Sequence, residues 1–472
     1  MQEQTQQIQK TSIWSLVKQA LRGKTDYDFT SGSIGVAAFL LAIPMVLEMA
    51  MESIFAIVDI LFVASLGYEA VAAVGLTEGV LTILYAIAIG LSMGVTALVA
   101  RRIGEGNREQ ANKIAGQALW TGLITATIVA FVGLFYAADI LRFMGADEAV
   151  LVIGEHYTTI MLCGSVSILY LFIINAIFRG AGDAAIAMRS LWLANGINII
   201  LDPIFIFGLG PVPEMGVTGA AVATTIGRGI GVLYQLYHLR HHASRICLTL
   251  EDIKPVPRIM WQLMKVSAGG IIQFLIATAS WMLLVRIVAQ FGSAAVAGYT
   301  IAIRIVIFTI LPAWGLSNAV ATLVGQNLGA DKPERAEQSV WRIARYNVTF
   351  MLIVAAVFIL FAPTLISWFA DDPEVIAVGV SCLRMVSYGY GFYAIGMIVV
   401  QAFNGAGDTM TPSKINFACY WVLQIPLAYM LANTTDLQAD GVFMAILVAE
   451  TLLALIGVWL FKRGSWRNVV LQ

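Results

Sequence analysis

Three carboxylates punctuate one apolar stretch: Glu48, Glu52 and Asp59. On a helix turning 100° per residue, positions four and eleven residues apart fall within about 40° of each other. The three acids then share one face. Asn195, Asn198 and Asp202 interrupt a second apolar stretch at spacings that again define one face. Thr224 and Thr225 lie in a third. Carboxylate, amide and hydroxyl oxygens suit hard cations such as Na+, by analogy with Ca2+ and Mg2+. Two neighbouring carboxylates in a low dielectric equally favour holding a proton. The chemistry expected is reversible binding of H+ or Na+ at Asp59, Asn198, Asp202 and Thr224. Glu48, Glu52 and Asn195 would line the same interior as a cavity wall or proton relay. Blander readings exist for each group. The Asp59, Asn198 and Asp202 set could be an interhelical hydrogen-bond network. Glu48 and Glu52 could line a cavity without coupling, and Thr224 could bond to its own backbone.

The remaining polar groups suggest less. Arg286, Arg304 and Glu450 are lone charges in apolar sequence without an assignable partner, and snorkelling or local pairing explains them. His238, His241 and His242 flank Arg240 and read as a solvated cluster rather than a metal site. The four cysteines, Cys163, Cys247, Cys382 and Cys419, are far apart, which supports neither a disulfide framework nor a zinc site. No phosphate-loop motif and no long polar stretch is present, so a nucleotide partner is not expected. A net charge of −1 gives no reason to expect nucleic acid. No cofactor is expected beyond the coupling ion.

The elements that must position these groups follow from composition. Of 472 residues, 59% are hydrophobic and 12% charged, about half the charged share of a soluble domain. Mean hydropathy is +0.82. The natural solvent is therefore a bilayer, which takes about 20 apolar residues to cross. Twelve such runs occur, near 34–66, 70–100, 113–141, 149–178, 187–208, 216–238, 264–291, 294–326, 340–370, 374–403, 413–432 and 440–461. Lys and Arg concentrate in the N-terminal segment (Lys10, Lys18, Arg22, Lys24) and in every even connection, among them Arg101, Arg102, Arg179, Arg240 and Arg335. The odd connections hold mostly Asp and Glu. This asymmetry places both termini in the cytoplasm, for a multi-pass protein of the plasma (inner) membrane.

The halves also repeat. Gly104 pairs with Gly329, Ala70 with Ala295, and the segment 178–183 (Phe-Arg-Gly-Ala-Gly-Asp) with 403–408 (Phe-Asn-Gly-Ala-Gly-Asp), all in one constant register. A shift of six spans preserves orientation, so the repeat is parallel. The fold class expected is an all-α polytopic membrane protein with twelve transmembrane helices in two six-helix bundles. The boundaries read as an N-terminal segment 1–33, a lobe 34–238, a linker 239–262, a lobe 263–462 and a tail 463–472. The second half lacks the acids of the first. In the same register Gln273 stands opposite Glu48, Ala277 opposite Glu52 and Leu284 opposite Asp59, which confines the ion site to the first half and leaves Gln273 as cavity polarity.

Several segments together carry a resemblance. They are Pro44 through Val58-Asp59 with Ser65-Leu66-Gly67, residues 102–107, Arg179-Gly180-Ala181-Gly182-Asp183, Asn198 through Asp202-Pro203, Gly219 through Thr224, and Gly325 through Ala330. Over nearly its whole length the chain resembles the multidrug and toxic compound extrusion (MATE) family. The resemblance implies an antiporter that exports organic, often cationic, compounds in exchange for H+ or Na+ by alternating access. It implies a central coupling role for Asp59, with Asn198, Asp202 and Thr224 as companions, and a helix-bending role for Pro44, since proline removes a backbone bond. Acids of the norfloxacin-exporter branch are replaced by Ala277 and Tyr393, which points to the branch of the DNA-damage-inducible (DinF-like) exporters. The partners expected are small organic substrates and the lipid bilayer, and the protein is expected to be a monomer. The alternative is a lipid or lipid-linked oligosaccharide flippase of the same superfamily, which would need a basic cavity. An enzyme is not expected, because no nucleophile–base pair or metal cluster occurs at membrane depth.

Overall fold

The computed structural model describes residues 13–23, 27–241 and 244–471, so Lys10, Lys24 and His242 lie outside the described residues. A bilayer supplies no hydrogen bonds to backbone amides, so apolar spans must satisfy their own as helices. The described chain does so. A short α1 (Ile13–Arg22) precedes α2 (Ile34–Ala64), α3 (Tyr68–Gly104) and α4 (Arg108–Phe143). The first half continues with α5 (Glu148–Cys163), α6 (Ser165–Ala181), α7 (Ala184–Phe207) and α8 (Gly216–Arg240). The second half holds α9 (Pro257–Val288), α10 (Ser293–Gly329), α11 (Pro333–Ser367), α12 (Pro373–Tyr388) and α13 (Tyr390–Ala406). It ends with α14 (Met410–Asn416), a π-helical stretch (Phe417–Gln424), α15 (Ile425–Thr434) and α16 (Ala439–Arg463). Among the described residues ten spans are long and apolar enough to cross a membrane alone. The pairs α5–α6 and α12–α13, bent by 41° and 56°, bring the number to twelve. Lipid-facing surfaces are apolar: Ile128, Phe131, Leu134 and Phe135 of α4 are all exposed.

The repeat is visible in backbone detail. The bends fall at Gly164 and Gly389, which occupy equivalent positions in the two halves. Gly182 and Gly407 each close a helix in the left-handed region, at φ 92° and 87°. Both Gly-Ala-Gly-Asp segments are therefore helix stops.

The lobes meet along α2 and α3 of the first half and α9 and α10 of the second. The contacts come in pairs related by the repeat. A Cβ on Gly104 would lie 2.0 Å from the Gln326 carbonyl oxygen, and one on Gly329 would lie 2.1 Å from that of Arg101. Gly90 backs onto Ile271 as Gly315 backs onto Val46. At this end one core mixes the lobes, with residues 37–45 of α2 packed among 319–328 of α10, 336–344 of α11 and 398–406 of α13. Toward the other end the cores separate, one formed almost wholly by the first lobe and one by the second. The lobes are thus closed on the face that carries the first and last described residues, called here the terminal face.

Two straps cross that face. Residues 27–33 run between the lobes: Arg245 donates to the Tyr27 carbonyl at 2.7 Å, and Arg335 to that of Ser31 at 2.7 Å. Asp183 is buried and accepts from the Arg245 backbone N–H at 2.7 Å. Burial pushes its carboxyl up from the ordinary range, and the Arg245 N–H and guanidinium oppose that. The second strap follows α16. Trp466 is fully buried against Phe461, and beyond it Arg101 and Arg102 donate to the carbonyls of Val469 and Leu471. The connection between the lobes is shorter than the sequence suggests, because α8 runs to Arg240 and Pro257 starts α9. It is also fastened to α4, where Gln117 bonds the Lys254 carbonyl at 2.9 Å and the Val256 N–H at 2.7 Å.

Candidate functional site

The interior of the first lobe gathers the acids read from the sequence, because α2 packs along α7, and α7 along α8. An unpaired charge in hydrocarbon is costly, and two of the three acids of α2 turn to bonded polar partners. Glu48, 1% exposed, accepts from Asn175 Nδ2 at 2.9 Å and from Arg179 Nη1 at 3.3 Å, both on α6. Gln235 of α8 in turn donates to Asn175 Oδ1 at 2.6 Å. One turn along, Glu52 accepts from Asn195 Nδ2 of α7 at 3.0 Å. Further along α2, Asp59 lies within Coulombic reach of Asp202, Glu78 and Arg228.

Asn195, Asn198 and Asp202 are all buried, as one shared helix face requires. With its amide nitrogen toward Asp202 and its oxygen toward Thr224, Asn198 donates to Asp202 Oδ2 at 2.8 Å and accepts from Thr224 Oγ1 at 2.9 Å. Asn198, Asp202 and Thr224 thus form one oxygen-rich group, with Asp59 within Coulombic reach of Asp202. Thr225 does not join it: its hydroxyl returns to the Ala221 carbonyl and its side chain packs at Gly164. Successive residues on a helix point about 100° apart, so only one of the two threonines can face α7.

The group differs from a closed metal centre. Among the described residues no cluster of three or more His, Cys, Asp or Glu could hold a metal ion. A Na+ here would be held by two carboxylates, one amide and one hydroxyl, a donor set that fits a weakly held hard cation. Asp59 makes no hydrogen bond or ion pair among the described residues, which leaves its carboxylate available to H+ or Na+.

Two arginines complete the interior. Arg179, read from sequence as a loop charge marking orientation, lies in the last turn of α6 and faces Glu48. Arg228 of α8 is 7% exposed and donates to Tyr85 of α3 at 3.0 Å. It lies within Coulombic reach of Glu52 and Asp59. Sequence reasoning missed it, although a signal was there: it stands four residues after Thr224, on the same helical face. Fully ionised, the interior would carry four carboxylates (Glu48, Glu52, Asp59, Asp202) against two guanidiniums.

The other candidates lie elsewhere. Gln273 and Tyr393 line a second-lobe cavity with Tyr420 and Glu450. Glu450, without an assignable partner in the sequence, accepts from Tyr420 Oη at 3.0 Å. Arg286 and Arg304 are exposed. Pro44 sits inside an unbroken α2, beside the place where Gly315 of α10 meets the carbonyl of Met45. Between the lobes lies a further cavity, walled by Met49, Met93, Phe172 and Trp314 with Arg179, Asn318, Gln401 and Asn404.

The family model MatE matches residues 44–204 and again 270–430, one copy per lobe. The chain belongs to the MATE family. It is therefore an integral multi-pass membrane transporter of small molecules. It is 27% identical over 432 residues to a probable multidrug resistance protein NorM of Thermotoga maritima, covering 91% of this chain and 92% of that one. It is 26% identical over 440 residues to an FAD transporter of Shewanella oneidensis, covering 93% and 97%. A solved MATE transporter described as outward-facing superposes with a TM-score of 0.88 at 28% identity, covering 93% of this chain and 98% of that one.

Proposed function

We propose that this MATE transporter is a secondary active antiporter that exports organic, often cationic, compounds in exchange for H+ or Na+. The observation that carries this reading is Asp59, a carboxylate without a bonded partner among the described residues and within Coulombic reach of Asp202, which forms one bonded group with Asn198 and Thr224 in the interior of the first lobe. A site that binds an ion reversibly needs a ligand not already consumed by structural bonds, and Asp59 is that ligand. Four carboxylates against two guanidiniums favour cations over phosphate-bearing lipids, so the flippase reading is second. Relatives named for multidrug resistance or export support the substrate class. The replacement of branch-specific acids by Ala277 and Tyr393 supports kinship with the DinF-like exporters.

The excess of Lys and Arg on the terminal face supports reading it as the cytoplasmic side of the plasma (inner) membrane, with both termini inside. The closed terminal face then corresponds to an outward-facing state. Ion and substrate would drive transport by favouring opposite states of the two lobes. The protein is taken to act as a monomer. The test is efflux of a fluorescent organic cation from proteoliposomes under an imposed Na+ gradient and, separately, a pH gradient, comparing wild type with Asp59→Asn. Efflux driven by one gradient and lost in the variant is expected, and names the ion. Efflux indifferent to Asp59→Asn removes Asp59 from coupling, and no gradient-driven efflux by the wild type moves the flippase to first place.

A further inference from the structure

The second lobe holds a carboxylate that the ion site does not use. Glu450 lies near the middle of α16 and lines a cavity of about 190 Å3 with Gln273, Asn416, Tyr420, Tyr393 and Trp314. Two of its residues have counterparts in the acid-bearing interior of the first lobe: in the register of the repeat, Gln273 is equivalent to Glu48 and Tyr420 to Asn195, while Glu450 is equivalent to Thr225. The charges differ. In the first lobe Glu48 is neutralised by Arg179. The residue equivalent to Arg179 is Asn404, which carries no charge. Glu450 has Tyr420 as its hydrogen-bond donor and no Lys or Arg beside it among the described residues.

The same cavity holds two further unmet acceptors. Gln273 and Asn416 are 8% and 6% exposed, and the side-chain oxygen of each lacks a partner among the described residues. Buried acceptors without protein partners remain open to a donor that enters the cavity. Three acceptors around one small space call for a donor with several N–H groups and a positive charge. Trp314, Tyr393 and Tyr420 line the same wall, and aromatic rings suit the same charge through their quadrupoles. Tyr420 is placed by the π-helical stretch Phe417–Gln424, a rare conformation found frequently at functional sites. The cavity is smaller than the roughly 300–1,000 Å3 of a site for a whole drug-sized molecule. It shares Met93, Trp314 and Gln401 with the cavity between the lobes, so a tail can extend there.

We propose that the second lobe binds the protonated amine head of an organic substrate, with Glu450 as the anion and Gln273 and Asn416 as acceptors of its N–H groups. This rests on the export reading for its biological sense but not for its test. The full-length protein in detergent is titrated with dansylcadaverine, which carries a primary ammonium, and with its neutral N-acetyl derivative. Wild type is expected to bind the ammonium at least about tenfold more tightly, the scale of a charge-assisted contact. Glu450→Gln, which preserves shape, should abolish that preference while leaving the neutral compound's affinity unchanged, which also shows that the variant is folded. Tyr420→Phe should weaken ammonium binding by a smaller factor. Unchanged ammonium binding in Glu450→Gln, or no ammonium preference in wild type, overturns the proposal. Ammonium binding that depends on Glu450, in a protein showing no gradient-driven efflux, would refute the export reading and leave this site standing.

Discussion

The pair formed by Glu48 and Arg179 makes a quantitative test of how the first lobe is held. Their nitrogen and oxygen are 3.3 Å apart, with both side chains largely removed from solvent. At that distance the Coulomb attraction is about 5 kcal/mol for an effective dielectric constant of about 20. Desolvation of both ions offsets much of it, so the intact pair contributes little net stability. Removing one partner is different, because it leaves the other buried and unpaired at a cost of about 3–5 kcal/mol. In Arg179→Met, Glu48 would retain one hydrogen bond from Asn175, and its Oε2 already lacks a partner. At roughly 2.1 cal/mol/K per residue, a cooperative chain of 472 residues shifts its Tm by roughly 1 °C per kcal/mol, giving a fall of roughly 3–5 °C. The double variant Glu48→Gln/Arg179→Met should recover most of that loss. Thermal unfolding in detergent can be followed with a thiol-reactive dye, because Cys382 and Cys419 are buried and free. A single variant that unfolds like the wild type, or a double variant whose loss equals the sum of the singles, refutes the argument.

Two further predictions concern closure of the terminal face. Gly104→Ala places a methyl where the Gln326 carbonyl now sits, and Gly329→Ala does the same at Arg101, so either should force α3 and α10 apart. Spin labels at the exposed positions Glu109 and Glu334 should then report a longer distance across that face, and an unchanged distribution would count against the packing described. Trp466→Ala removes a fully buried ring, a loss of about 3–5 kcal/mol, and should release the C-terminal strap. Hydrogen exchange should accelerate across residues 465–471 and leave the centres of the spans protected. Uniform acceleration throughout would show that the ring supports the whole fold rather than the strap.

Local sequence was enough to expect the spans, the repeat and the inward faces of α2 and α7. Apolar runs of bilayer length must be helical, helical periodicity decides which residues share a face, and polar groups in hydrocarbon must turn inward. Glu48, Glu52 and Asp59, with Asn195, Asn198 and Asp202, follow from those rules alone. The partners do not, because a partner on another helix depends on which helices are neighbours. Arg179 reads as a loop charge until α6 is seen beside α2, and Arg228 reads as nothing until α8 turns it toward Tyr85 and Asp59. Spacing suggests Thr224 and Thr225 equally, and only the docking of α8 on α7 selects Thr224. Glu450 has no interpretable role until the π-helical stretch brings Tyr420 to it. The closed terminal face likewise belongs to tertiary structure. Gly104 and Gly329 advertise the repeat in sequence, but their role as points of contact exists only once the two lobes meet. What each helix could offer is written along the chain, because helical periodicity and the cost of polar groups in hydrocarbon act locally. Which offers were taken up depended on long-range packing, because it alone makes neighbours of residues far apart in sequence.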